Sequence, residues 1–75
     1  MDTNGTVLVT GATGFIGSVL ARQLVEDGTD VRIFRRKTSS LNLLGDAADD
    51  VEHAVGDLTY ARSLYEAMAG VDRVY

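Results

Sequence analysis

Three glycines at regular spacing join two segments of different hydrophobic pattern near the start of the chain. Gly11, Gly14 and Gly17 follow the apolar, β-branched run Thr6–Thr10, and beyond them apolar residues recur at helical spacing as far as residue 27. A buried strand, a glycine turn and an amphipathic helix in direct succession are typical of a parallel α/β unit. This order constrains the fold more than any other feature of the chain.

The alternation of strand and helix patterns continues to the end of the chain. Further strands are predicted at residues 31–34, 51–55 and 71–75, a loop with some helix at 37–50, and a helix at 59–69. Such alternation predicts a parallel sheet with helices on both faces. We therefore expect a Rossmann-type three-layer α/β/α fold, of which the N-terminal β-α-β-β-α-β half is present. On this interpretation residues 1–75 are the truncated N-terminal part of a single dinucleotide-binding domain, without a second domain.

The apolar positions also predict which face of each helix packs against the sheet. The first helix is expected to end at Gly28 and to pack through its apolar residues, which are Ile16, Val19, Leu20 and Leu24. The second helix is expected to begin after an N-cap at Thr59 and to pack through Leu64 and Met68.

The glycine spacing has a physical reason if the pyrophosphate of a dinucleotide lies against this turn. Gly11 allows a tight turn where a Cβ would clash, Gly14 leaves room for phosphate oxygens, and Gly17 lets the helix approach the sheet. Free amides in the first helical turn, together with the helix dipole, attract the phosphates. The alternative is a glycine-rich turn that binds nothing. The predicted pyrophosphate site comprises Gly11, Thr13, Gly14, Phe15, Ile16 and Gly17.

The end of the second predicted strand carries the only dense positive run, Arg35, Arg36 and Lys37. An acidic residue at this place would bond the 2′-hydroxyl of the adenosine ribose and select NAD. A guanidinium can instead hold a 2′-phosphate through a bidentate, charge-assisted pair. The run therefore predicts NADP rather than NAD. The alternative is a solvated basic loop.

Gly56, Asp57 and Leu58 directly follow the third predicted strand, beside the expected adenine pocket. Asp57 could accept a hydrogen bond from the adenine amino group, and Leu58 could cover the ring. The alternative for Asp57 is a capping role at the following helix. His53 stands in the third strand, where we expect a structural or surface histidine.

Composition excludes several classes of protein. The chain has a formal net charge of −4, which argues against general binding to nucleic acid. No apolar run approaches the roughly 20 residues that a membrane span needs, and no signal-peptide pattern is present. The sequence contains no cysteine, so neither a disulfide nor a cysteine-based metal site is expected. We therefore expect a cytoplasmic protein.

The run VTGATGFIG at residues 9–17 resembles the opening of the extended and atypical short-chain dehydrogenases/reductases, which include sugar-nucleotide epimerases and dihydroflavonol-4-reductase-like enzymes. The resemblance continues through residues 30–36, 55–59 and 70–75, and so covers essentially the whole chain. It implies that Asp57 and Leu58 contact adenine and that Arg36 meets the 2′-phosphate. Epimerase-like members usually carry an acidic residue where this chain has Arg35, so the basic run resembles that of the NADP-using reductases.

The resemblance implies that the chain is the NADP(H)-binding portion of an oxidoreductase acting on a carbonyl or hydroxyl group of a small metabolite. The chemistry of the family uses a Tyr-x-x-x-Lys pair, and no tyrosine of this sequence has a lysine four residues later. We therefore expect the catalytic pair and the substrate contacts to lie beyond residue 75, and no turnover by these residues alone. The alternatives are a nucleotide-sugar epimerase or dehydratase and a non-catalytic NADP-sensing module. The outer face of the fourth predicted strand would normally be covered by later elements, and the apolar surface that is left there is a reason to expect a homodimer.

Overall fold

A computed structural model describes residues 5–75; residues 1–4 of the expected domain lie outside this range. The elements follow the predicted order of strands and helices. They are β1 (Thr6–Thr10), α1 (Phe15–Glu26), β2 (Asp30–Arg35), a 3₁₀ segment (Asn42–Asp49), β3 (Glu52–Val55), α2 (Ala61–Ala67) and β4 (Val71–Val74). The predicted loop with some helix is thus the region of the 3₁₀ segment.

The four strands form one parallel sheet in the order β3-β2-β1-β4. Along the chain, β2 pairs with one side of β1 and β3 pairs with the far side of β2. After α2, β4 pairs with the opposite side of β1. The strand order therefore changes direction beside β1, and in open α/β sheets ligands bind at the carboxyl ends of the strands near such a point.

Alternating side chains of the strands fill two separate cores. Val7, Val9, Val31 and Ile33 pack with the buried Leu44 of the 3₁₀ segment and with α1 on one face of the sheet. On the other face, the buried cluster consists of Leu8, Phe34 and Ala67. Because β1 is buried on both faces, its sequence is a nearly continuous apolar run. The predicted three-layer α/β/α fold is confirmed.

The predicted packing face of α1 is wrong in part. The side chains of Ile16 and Val19 are 81% and 47% exposed, whereas Ser18 and Ala21 are buried against the sheet. The cause is a close approach of the helix to the glycine turn: a Cβ on Gly17 would overlap the Gly11 carbonyl oxygen. Small residues therefore occupy the side of the first turns that faces the sheet, and the large apolar ones point away from it.

The start of α2 also differs from the prediction. The N-cap is Tyr60 rather than Thr59, and no side chain donates or accepts a capping hydrogen bond there. Thr59 instead donates hydrogen bonds from its amide and its hydroxyl to the Asp57 carboxylate. Leu64 packs on the second core as expected, but Met68 is 43% exposed and Ala67 takes the buried position. Apolar periodicity over so short a helix does not fix its rotation about the axis.

Candidate functional site

A cavity of about 320 Å³ lies at the carboxyl ends of β1, β2 and β3. It is lined by the last residues of β2 and by residues from the three loops that leave these strands; the lining residues are Gly11, Thr13, Phe34, Arg35, Arg36, Ser39, Asp57, Leu58 and Thr59. Pockets for small molecules and cofactors range from about 300 to 1,000 Å³, so the space suits part of a nucleotide. Six of the residues predicted for the site meet in this cavity.

The glycine turn leads directly from β1 into α1. Gly11 has a φ of +67°, a left-handed conformation that other residues rarely adopt, and a Cβ there would meet nothing within 4 Å. The need for glycine therefore comes from the backbone conformation, and the expected steric clash is wrong. Gly14 donates its amide to the Gly11 carbonyl at 3.0 Å, which closes the turn.

The first amides of α1 follow this turn. Ser18 donates the first hydrogen bond of the helix, to the Gly14 carbonyl at 2.9 Å, so the preceding amides of Phe15 and Ile16 have no acceptor within the helix. Such amides and the positive end of the helix dipole form an anion site. The side chains of Phe15 and Ile16 are exposed and do not line the cavity, so only their backbone belongs to the candidate site.

The three basic residues at the end of β2 and directly after it have different surroundings. Arg35 donates from Nε to His53 Nδ1 at 2.9 Å and from Nη1 to the Arg36 carbonyl at 3.1 Å. Arg36 lines the cavity, and its guanidinium forms no hydrogen bond or ion pair within residues 5–75. Lys37 is exposed and does not line the cavity. Arg36 is thus the base best placed to meet an anion there.

A tight turn fixes the backbone of Arg36. Its amide donates to Ser39 Oγ at 3.0 Å, and its carbonyl accepts from the Ser39 amide at 3.1 Å. Ser39 therefore supports the turn of residues 36–39, which we call the basic turn. It also lines the cavity, although the sequence does not predict it as a site residue. Its position three residues after an arginine at a strand end was the only signal in the sequence, and serine is common in loops.

Asp57 faces Arg36 across the cavity. Its Oδ1 accepts from the Thr59 amide at 2.9 Å and from Thr59 Oγ1 at 2.8 Å. These two hydrogen bonds and the nearby charge of Arg36 lower the pKa of the Asp57 carboxyl, although desolvation opposes them. Because α2 begins only at Ala61, the carboxylate does not cap that helix, and the capping alternative is wrong. Leu58, beside it, is 63% exposed.

Two kinds of feature have not been found within residues 5–75. No group of three or more histidine, cysteine, aspartate or glutamate side chains is placed to hold a metal ion. No helix in this range is both long and apolar enough to span a bilayer.

Residues 11–75 match the family model described as NAD(P)H-binding. The chain is 47% identical over 70 residues to sterol demethylase protein B of Methylococcus capsulatus, covering 93% of this chain and 21% of that protein. It is 38% identical to dihydroflavonol 4-reductase of Zea mays, covering 95% of this chain and 22% of the other. The chain thus spans about a fifth of the length of these relatives.

A solved structure has the same arrangement. The nucleoside-diphosphate-sugar epimerase PA4631 from Pseudomonas aeruginosa superposes with a TM-score of 0.83 at 28% identity, covering 95% of this chain and 23% of that one. A nicotinamide dinucleotide fits a site built from helix amides, a left-handed glycine and an arginine side chain that has no partner within the described residues. The chain belongs to the NAD(P)H-binding family, among the extended short-chain dehydrogenases/reductases.

Proposed function

We propose that this chain binds NADP(H) as part of an oxidoreductase that reduces a carbonyl group, or oxidises a hydroxyl group, of a small metabolite. The observation that carries the proposal is Arg36, which lines the cavity and whose guanidinium has no hydrogen bond or ion pair within residues 5–75. A charge left unpaired in a cavity of a folded protein favours an anionic ligand. The 2′-phosphate of NADP supplies such an anion, and the hydroxyl of NAD does not.

The adenosine end of the cofactor lies between the loops after β2 and β3 in this proposal. Arg36 and Arg35 hold the 2′-phosphate, and Lys37 adds positive charge at longer range. Asp57 accepts from the adenine amino group, and the exposed side chain of Leu58 covers one face of the ring. The second carboxylate oxygen of Asp57 has no hydrogen bond within residues 5–75, so an acceptor remains for adenine.

The pyrophosphate lies against the glycine turn. Gly11 and Gly14 keep the turn tight and free of side chains, Thr13 lines the cavity, and the amides of Phe15 and Ile16 donate to the phosphate oxygens. Gly17 contributes indirectly, because its lack of a side chain lets α1 begin so close to the turn. The nicotinamide supplies hydride transfer when the cofactor is bound. A Tyr-x-x-x-Lys pair outside these residues would complete the catalytic site.

Cofactor titration tests the proposal. We expect the purified protein to bind NADPH more tightly than NADH, as measured by nucleotide fluorescence. Arg36→Ala should weaken NADPH binding about 10- to 100-fold, because a charge-assisted hydrogen bond is worth about 1.5–3 kcal/mol, and should leave NADH binding nearly unchanged. Arg22→Ala is the matched control, since it removes the same charge from an exposed position of α1 outside the cavity. Equal affinities of the wild-type protein for both cofactors would contradict the preference for NADP.

A second candidate is an epimerase acting on nucleotide-linked sugars. Its support is the superposition on the nucleoside-diphosphate-sugar epimerase PA4631. Against it stands Arg35, because the resemblance to such enzymes leads us to expect an acidic residue at this place. A protein that also contains the catalytic pair expected beyond residue 75 separates the candidates when it is incubated with a nucleoside-diphosphate sugar: an epimerase changes the sugar without net consumption of the cofactor, whereas a reductase consumes NADPH in step with its own carbonyl substrate.

A further inference from the structure

The imidazole of His53 has a hydrogen-bond partner at each of its two nitrogens. His53 is the register neighbour of Ile33 in β2, and its Nε2 lies 2.8 Å from the Ala48 carbonyl oxygen in the 3₁₀ segment. A carbonyl oxygen can only accept, so Nε2 carries the proton. Nδ1 is then the acceptor of the neutral ring, and it receives the hydrogen bond from Arg35 Nε at 2.9 Å.

The partner of Nδ1 admits only this arrangement. A guanidinium has donors and no acceptor, so a proton on Nδ1 would set one donor against another. Arg35 also donates from Nη1 to the Arg36 carbonyl at 3.1 Å. Two of its N–H groups are thus bound to the protein, and the others are left for a ligand in the cavity that Arg35 lines.

These hydrogen bonds connect the end of β2 with β3 and with the 3₁₀ segment. His53 donates to the Ala48 carbonyl of the 3₁₀ segment and accepts from Arg35, and Arg35 also donates to the carbonyl of Arg36. That same carbonyl accepts from the Ser39 amide in the basic turn. The orientation of the turn is therefore connected to a ring that does not line the cavity.

The geometry points to His53 as a positioning residue for the 2′-phosphate subsite. It holds the guanidinium of Arg35 in one orientation at the edge of the cavity and, through Arg35, steadies the turn that carries Arg36. A side chain fixed before binding loses less conformational entropy when the ligand arrives. The inference rests on the proposed function, since it concerns the phosphate that distinguishes NADP from NAD.

Two amide substitutions separate the roles of the two ring nitrogens. His53→Asn places a carbonyl oxygen near the position of Nδ1, so Arg35 Nε keeps an acceptor while the bond to Ala48 is lost. His53→Gln places its amide group near the position of Nε2, so the bond to Ala48 is kept while Arg35 loses its acceptor. A purely structural role of His53 predicts no such division between the variants.

The readout is the dissociation constant for NADPH and for NADH in the purified protein. We expect His53→Gln to weaken NADPH binding about fivefold, the usual effect of losing one hydrogen bond, with NADH binding changed less than about twofold. His53→Asn should bind both cofactors within about twofold of wild type. Thermal unfolding of each variant verifies that it is folded. If His53→Gln does not fold, His53→Phe keeps a ring without an acceptor and is expected to show the same fivefold loss.

Other results would overturn the inference. One such result is a His53→Gln variant, or a His53→Phe variant in its place, that binds NADPH with the affinity of wild type. An equal loss of affinity for NADPH and NADH would show that His53 only supports the fold. A wild-type protein that does not prefer NADPH would contradict the proposed function itself, and the inference with it. That result is obtained before any variant is made, so the two failures are distinguishable.

Discussion

Neighbouring side chains at the carboxyl edge of the sheet differ in what they can still bind. Arg35 is held by His53 and by the Arg36 carbonyl, whereas the guanidinium of Arg36 has no partner within residues 5–75. Across the cavity, one oxygen of Asp57 is occupied by Thr59. At the scale of single residues these side chains are therefore partly satisfied by the protein. The groups that remain for a ligand within residues 5–75 include the guanidinium of Arg36, the other N–H groups of Arg35 and one carboxylate oxygen of Asp57.

The Asp57 carboxylate gives the loop after β3 a dependence on pH. Its pKa lies below the ordinary value of 3.8 because the Thr59 bonds and the charge of Arg36 favour the ionised form. A carboxyl group whose pKa is lowered on folding stabilises the protein above its unfolded pKa. This contribution is lost as the pH falls through the folded value. We therefore expect wild type to lose more stability than Asp57→Asn on acidification from about pH 5 to about pH 3.

Thermal unfolding at several pH values measures this difference. The asparagine oxygen can still accept from the Thr59 amide, so the variant removes the charge and keeps the loop. Asp46→Asn is the control, because it neutralises an exposed acid that makes no side-chain hydrogen bond within residues 5–75. A wild-type protein and an Asp57→Asn variant with parallel pH profiles would refute the role of the charge.

At the scale of elements, Arg32 connects β2 with both β3 and α2. Its Nη1 donates to the carbonyls of Ala67 and Ala69, at 2.6 and 2.7 Å, and its Nε donates to Glu52 at 2.9 Å. The side chain is only 16% exposed. Carbonyls at the end of a helix lack intrahelical donors, and a cation there also interacts favourably with the helix dipole. One side chain therefore fixes the end of α2 on the sheet.

Removal of this arginine should destabilise the whole molecule. We expect Arg32→Leu to lower the free energy of unfolding by about 2–4 kcal/mol, because the carbonyls of Ala67 and Ala69 and the carboxylate of Glu52 lose their donor. Arg62→Leu is the matched control: Arg62 pairs with Glu66 at 3.3 Å on the exposed side of α2, and such pairs contribute at most about 1 kcal/mol. Urea denaturation of both variants makes the comparison. Equal losses would show that Arg32 acts no differently from a surface charge.

Elements were easier to predict than their rotation or their partners. The order of strands and helices follows from local patterns, since β1 is a nearly continuous apolar run and α1 has a helical period. The exposed side of α1 could not be derived in the same way, because Ile16 points outward only through the close approach of Gly17 to Gly11. The bond between His53 and Arg35 depends on strand register, which spacing along the chain does not reveal.

Over the whole molecule, charge and candidate ligand have the same sign. The chain has a formal net charge of −4, while the cavity at the end of β2 carries Arg35 and Arg36. NADPH is more negative than NADH because of its 2′-phosphate, so the net charge alone disfavours it. A preference for NADPH must therefore come from the short-range attraction of the basic turn, which overcomes the weaker repulsion of the rest.

Salt provides the test at this scale. The Debye length shortens from about 10 Å at 0.1 M to about 3 Å at 1 M, so added salt weakens the attraction between a partly exposed guanidinium and a phosphate. We expect NADPH affinity to fall more steeply than NADH affinity as sodium chloride is raised, which narrows the ratio of the two dissociation constants. In Arg36→Ala the two cofactors should respond to salt almost alike, while Arg22→Ala should behave as wild type. If NADPH and NADH affinities fell in parallel in the wild-type protein, the 2′-phosphate would not be meeting a charge at all, and selectivity would have to arise from shape.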